Sequence, residues 1–224
     1  TSESIFTKEE EKLFGQQWNC VGRSSDIPKP GDYFLATVLD ESLIIVRDSK
    51  GMLHAHFNVC RHRGTRMCEA LSGNLGKAIQ CPYHAWTYTT DGKLVAAPFM
   101  DEVKDFEKPN YGLHQAGIAE WEGFIFVNIA KKPFEKAWAP MMGRLSRFKL
   151  ENLQLGHEVT YNIKGNWKLV FQNYNECLHC PTIHPTFSAV LPYKGGAHDL
   201  VEGSHLGGYM EITPPNTSAT MSGK

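Results

Sequence analysis

The sequence predicts an α+β protein: an all-β domain, opened by one helix, followed by a second domain that combines an antiparallel sheet with helices. Three observations carry this. From Tyr33 onward short β-like runs succeed one another, "YFLATVL", "LIIVRD", "LHAHFN" and later "HQAGIAEWEGFIFVNI". Around "KKPFEKAWAPMMGRLSRF" the pattern changes to a linker and a helix. Beyond it "GHEVTYNI" reads as a strand and "GNWKLVFQNYNECLHC" as a helix. The expected domains are therefore residues 1–145 and 146–224.

Taken in order, Thr7 and Glu10 fit a capping box, and Leu13, Phe14 and Trp18 fall at helical spacing, which predicts a helix over 8–18. "IPKPGD" stops it, and Asp91-Gly92 marks a hairpin turn between later strands. The end, "GGYMEITPPNTSATMSGK", reads as a strand, a loop and the start of another strand. The elements needed to close a sheet are not there, so the second domain is expected to be incomplete.

The 224 residues, 42% hydrophobic and 21% charged, suit a globular chain with one or two cores. Lys+Arg 23 against Asp+Glu 24 gives a net charge of -1, which offers no general attraction to nucleic acid or to an anionic membrane. Small or neutral partners are the better expectation. No apolar run reaches the length of a membrane span, and the start lacks a secretory layout, so a cytoplasmic protein is expected. The chain begins with threonine, which reads as trimming. Six cysteines are too few for a disulfide scaffold at this length, so those beside histidines read as metal ligands.

Two such groups occur. Residues 60–64 are "CRHRG" and 81–86 are "CPYHAW", giving Cys60-x-His62 and, after an 18-residue gap, Cys81-x-x-His84. A structural zinc site usually pairs like ligands within each short loop, whereas here each loop carries one thiol and one imidazole. Two thiolates on one iron and two imidazoles on the other satisfy a [2Fe-2S] cluster clamped from both sides. Gly64 and Pro82 supply the turns that bring the backbone close. Neutral imidazoles make such a cluster easier to reduce, which suits a one-electron relay.

The tract "CPYHAWTYTTDGKLVAAP" resembles the Rieske domain of aromatic ring-hydroxylating oxygenase large subunits. Ala85 departs from the glycine commonest there.

The second group is "NECLHCPTIHP", residues 175–185. His179 and His184, five apart, would lie about 140° apart on a straight helix, but Pro181 opposes one. A helix ending near Cys180 and then a turn brings both imidazoles to one point. Two histidines and one carboxylate on one face of Fe(II) leave positions open for oxygen. Glu176, three residues before His179, can accept the imidazole N–H that the metal does not use. Soft thiolates suit oxygen-activating iron poorly, so Cys177 and Cys180 are read as packing residues. His54 and His56 are read as structural, and Cys20 and Cys68 have no metal-spaced partner.

Glu176-x-x-His179-x-x-x-x-His184 after "GNWKLVFQNYNE" resembles the mononuclear iron motif of Rieske non-heme iron oxygenases. The resemblance implies a helix-grip catalytic domain and a third ligand, a carboxylate, beyond Lys224. The alternative is closure by Asp199, Glu202 or Glu211. It also implies a homotrimer in which Glu176, usually aspartate in the family, bridges the iron histidine to His84 of a neighbouring subunit.

The implied activity is that of a terminal oxygenase using O2 on a small substrate. Its electrons would come from NAD(P)H through a separate flavin/iron-sulfur reductase, since no dinucleotide fingerprint occurs here. "NYNECLHCPTIHP", with glutamate as the bridging acid, resembles members acting on betaines and carnitine. Phe187, Tyr193 and Tyr209 are candidates for a cation cage. Leu178 stands where many relatives have tyrosine. Ring hydroxylation is the alternative substrate class, and a Rieske electron carrier without oxygenase chemistry is the alternative of another kind.

Overall fold

A computed structural model describes residues 2–199 and 207–219. The chain divides into two compact units, 1–154 and 155–224.

In the first unit, helix α1 (Glu3–Glu9) runs into a wider turn over Glu10–Phe14, closed by the Gly15 N–H on the Glu10 carbonyl at 2.9 Å. The helix expected over 8–18 thus starts and ends earlier. Ser2 occupies the N-cap position, and the Thr7 hydroxyl donates to the Glu3 carbonyl inside the helix, so it forms no capping box. Trp18 lies outside the helix and packs edge-on against Phe134, ring centroids 5.0 Å apart.

The strands are β1 (Asn19–Arg23), β2 (Asp32–Val38), β3 (Glu41–Arg47), β4 (Leu53–Phe57), β5 (Ser72–Asn74), β6 (Ala78–Gln80), β7 (Thr87–Thr89), β8 (Leu94–Ala96), β9 (Gly117–Trp121) and β10 (Phe124–Asn128). They form three antiparallel sheets, in orders β4-β3-β2-β5, β1-β10-β9 and β6-β7-β8, and a short helix α2 (Phe134–Trp138) follows. Asp91 and Gly92 sit in the β7–β8 turn, as their sequence predicts.

Strand β3 explains how one domain supports two cores. Its apolar run has no polar face, so both sides must be covered. Leu43 and Ile45 join Ile27, Ala55, Ile125 and Val127, while Ile44 and Val46 pack on the other side with Cys60, Cys81, Trp86 and Tyr88. All four β3 side chains are 0% exposed. Each contributes roughly 1.5–3 kcal/mol by burial. The second core directly underlies the cysteine–histidine loops.

The 58–68 loop is tied by Asn58, itself 1% exposed. Its side-chain oxygen accepts the N–H groups of Met67 (3.0 Å) and Cys68 (2.9 Å), and its amide donates to the Cys68 carbonyl at 2.7 Å.

The second unit contains α3 (Trp167–Asn175), α4 (Cys180–Ile183) and α5 (Pro185–Val190), then a ribbon of β11 (Gly196–Asp199) and β12 (Gly207–Met210). The Asn166 side chain caps α3 by accepting the Lys168 N–H at 3.0 Å. The strand expected over "GHEVTYNI" is not formed. Val159, Tyr161 and Ile163 do alternate, but all are more than half exposed, and among the described residues the segment has no neighbouring strand to bond. Period two makes a strand only where an edge receives it. The further strand expected at the end of the chain falls largely on residues outside those described.

Candidate metal centres

The two upstream ligand loops are built alike. The first leaves β4, and the second joins β6 to β7. In each, the cysteine N–H bonds the carbonyl five residues on: Cys60 to Thr65 and Cys81 to Trp86, both at 2.8 Å. In each, the cysteine carbonyl accepts the N–H four residues on, from Gly64 at 3.0 Å and from Ala85 at 3.1 Å. The residue at that fourth position must turn left-handed, with φ of 73° at Gly64 and 58° at Ala85. Glycine takes this conformation freely, while alanine is strained by about 1–2 kcal/mol.

These turns aim the side chains at one place. The buried Cys60 and Cys81 thiols face each other, and the rings of His62 and His84 lie 4.8 Å apart. Burial, then His84 and Arg63, holds His62 below the ordinary imidazole range and so favours its neutral, ligating form. His62 Nδ1 is buried without a hydrogen-bond partner. A buried nitrogen left unpaired is costly unless something accepts its lone pair, so the donor set fits a cluster-bearing site.

Three residues that sequence reasoning passed over shape this pocket. The Tyr88 hydroxyl lies 3.5 Å from Cys60 Sγ and accepts the Arg61 N–H at 3.2 Å. Burial pushes the Tyr88 phenol above its usual range, so it remains a donor. Trp86 stacks on His62 at 4.9 Å and 5°, backed by Phe106 and Tyr111. Trp86 and Tyr88, two apart around the start of β7, carried an inward-facing period that could have revealed them. Arg61 also donates to the Gly112 carbonyl at 2.8 Å.

The other histidines and cysteines of this unit do different work. His54 pairs with Asp48 at 3.0 Å, and buried His56 bonds the Thr90 carbonyl at 2.9 Å. Burial raises Cys68 to about 11, leaving an inert thiol, and Cys20 is exposed.

In the second unit, α3 ends at Asn175, before the point near Cys180 that the sequence predicts. Glu176 is extended, and its carboxylate takes the Leu178 N–H, a bond that replaces helical continuation. Glu176 Oε2 still reaches His179 Nδ1 at 3.3 Å, but across a turn and not along a shared helix face. Its bond to His179 leads the causes that hold the Glu176 carboxyl below the ordinary range. The rings of His179 and His184 lie 5.5 Å apart at 73°, with Nε2 of His179 left for a metal.

Cys177 and Cys180 require a correction. They are joined in a disulfide with Cα atoms 5.0 Å apart, and are not simply packing thiols. The turn that ends α3 early brings them together. Of the alternative third ligands, Glu202 and the Asp199 side chain lie outside what is described, and among the described residues Glu211 belongs to no group of three or more His, Cys, Asp or Glu side chains.

Residues 17–107 match the Rieske [2Fe-2S] domain, and residues 150–224 match the ring-hydroxylating alpha subunit catalytic domain. The chain belongs to the Rieske-type ring-hydroxylating oxygenase alpha-subunit family. The family's two domains carry a Rieske cluster and a mononuclear iron, and its members are oxidoreductases.

Among curated relatives, the glycine betaine monooxygenase oxygenase subunit of Chromohalobacter salexigens is 36% identical over 183 residues, 81% of this chain and 41% of that protein. The carnitine monooxygenase oxygenase subunit of Acinetobacter baumannii is 35% identical over 192 residues, 84% of this chain and 52% of the relative. A crystal structure of the quaternary ammonium Rieske monooxygenase CntA with an inhibitor superposes with a TM-score of 0.81 at 33% identity, covering 90% of this chain and 57% of that one. The chain spans about half the length of the curated relatives it matches. Among the described residues no helix is long and apolar enough to cross a membrane.

Proposed function

We propose that this chain belongs to the terminal oxygenase component of a Rieske system that oxidises a small quaternary ammonium compound of the betaine or carnitine kind. In this reading Cys60, His62, Cys81 and His84 hold the cluster, and His179 and His184 hold the iron. Bound there, the cluster would supply single electrons and the iron would provide for activation of O2 beside the substrate. The observation that carries the reading is the coexistence, in family order, of two cysteine–histidine loops with an orphaned imidazole nitrogen and a histidine pair braced by a carboxylate.

The chain's own groups have definite tasks. Trp86 fixes the plane of His62, and the Tyr88 hydroxyl donates toward Cys60 Sγ. Glu176 accepts the Nδ1–H of His179 and so presents Nε2 outward. In a homotrimer, Glu176 would join His179 to His84 of the partner subunit and carry the electron across. A flavin/iron-sulfur reductase would deliver NAD(P)H electrons, and the assembly would work in the cytoplasm. Phe187, Tyr193 and Tyr209 offer ring faces to a cationic substrate. Lys194 already places its ammonium 5.9 Å from the Tyr193 ring centre.

The test is iron and acid-labile sulfide per chain with EPR of the reduced protein, followed by substrate-dependent O2 uptake. Three irons to two sulfides, lost to two in H179A, with turnover of carnitine or betaine, is the expected result. Turnover only of aromatic acids would move the reading to ring hydroxylation. Two irons in the native protein, with no oxygen uptake, would leave an electron carrier.

A further inference from the structure

The disulfide between Cys177 and Cys180 encloses only Leu178 and His179. Glu176 directly precedes it, and its two carboxylate oxygens hold the Leu178 N–H and His179 Nδ1. The Cys180 N–H closes the same turn on the Cys177 carbonyl at 3.1 Å. Residues 176–180 are thus a single cross-braced unit, and the proposed iron ligand is the residue it constrains. Cys180 is 4% exposed while Cys177 is half-buried, so Cys177 is the more accessible residue of the pair.

We propose that Cys177 and Cys180 form a reversible dithiol–disulfide pair whose state sets how firmly His179 is held toward its metal. This rests on the reading of His179 as an iron ligand. In reduction, the thiolate of a low-molecular-weight thiol attacks Cys177 Sγ, the Sγ–Sγ bond breaks, and Cys180 leaves as a thiolate that takes a proton. A second thiol releases Cys177 as a thiol and departs as the mixed partner's disulfide, for a total of two electrons and two protons. In oxidation, two thiols and one hydrogen peroxide give the disulfide and two waters. The bond limits the freedom of the Leu178–His179 backbone, and opening it leaves the Glu176 contact as the main brace.

The experiment combines thiol alkylation read by peptide mass with Fe(II) release to a chelator, on the purified protein poised in thiol–disulfide buffers. H179A supplies the background from the cluster. The expected result is a reversible loss of two alkylatable thiols on the peptide bearing 177 and 180. Fe(II) should leave the reduced form about tenfold faster than the oxidised form, the scale seen when a ligand's supporting partner is lost. C177S, altered at the half-buried residue, should stay at the faster rate in every buffer, with unchanged circular dichroism. A pair that does not oxidise with peroxide, or one whose oxidation leaves Fe(II) release unchanged, overturns the proposal. If H179A retains as much Fe(II) as the native protein, the iron-ligand reading fails separately, and the alkylation result still reports on the pair.

Discussion

Replacing Tyr88 by phenylalanine tests whether the phenol tunes the cluster. The ring is 0% exposed and its packing is kept, so the change deletes one hydroxyl at 3.5 Å from Cys60 Sγ. Bound to iron, that sulfur is an anion and can only accept. The bond favours the more negative, reduced state, and losing it should lower the reduction potential. A hydrogen bond to a charged group is worth about 1.5 kcal/mol at the low end, suited to this length. The sulfur accepts this bond in both redox states and the potential reads only the difference, so with tenfold equal to about 1.4 kcal/mol or about 59 mV for one electron the fall is at most about 60 mV. The Arg61 N–H also loses its acceptor, at a cost of about 1 kcal/mol in stability. Potentiometric titration followed by EPR or circular dichroism reads the first effect, and denaturant unfolding reads the second. A potential that stays within about 10 mV of the native value, or rises, would refute the assignment of Tyr88 as a donor to the cluster sulfur.

Ala85→Gly should stabilise the protein by about 1 kcal/mol, because it removes a methyl from a left-handed residue, and the denaturant midpoint should rise with ligand spectra unchanged. Gly92→Ala should cost at least about 2 kcal/mol, since its φ is 90° and a Cβ would lie 2.6 Å from His56 Cε1. Burial lowers His56 from 6.5 to about 4, so the native state holds the neutral ring. Stability from this group is complete above pH 6.5 and is lost as pH falls toward 4, amounting to about 3 kcal/mol across that window. His56→Gln should flatten unfolding free energy against pH between those limits, and an undiminished slope would assign it to other groups.

The ligand loops were legible because their chemistry is local: cysteine, histidine, glycine and proline at short spacings define both donors and turns. The strands β2, β3, β4, β9 and β10 were legible for a similar reason, since each is a local apolar run, alternating or, in β3, continuous. β5 and β6 were not, being three residues each and made by the partners they meet, whereas Asp91-Gly92 announced the β7–β8 hairpin. Helix α3 was visible but its end was not, because a carboxylate two residues upstream of Leu178 captures that N–H. The disulfide depends on that same turn. Tyr88 and Trp86 were hidden in plain composition, since an aromatic residue near a ligand has a role only once the sheet shows which way it faces.

The paired closure of the two ligand loops makes each loop a single piece. The bonds that shape them run from Cys60 and Cys81 to their fourth and fifth neighbours. Each turn therefore carries its thiol and its imidazole together, on the exit of β4 and on the β6–β7 hairpin. A lesion in either turn displaces two donors at once, which makes damage to the donor set abrupt rather than graded.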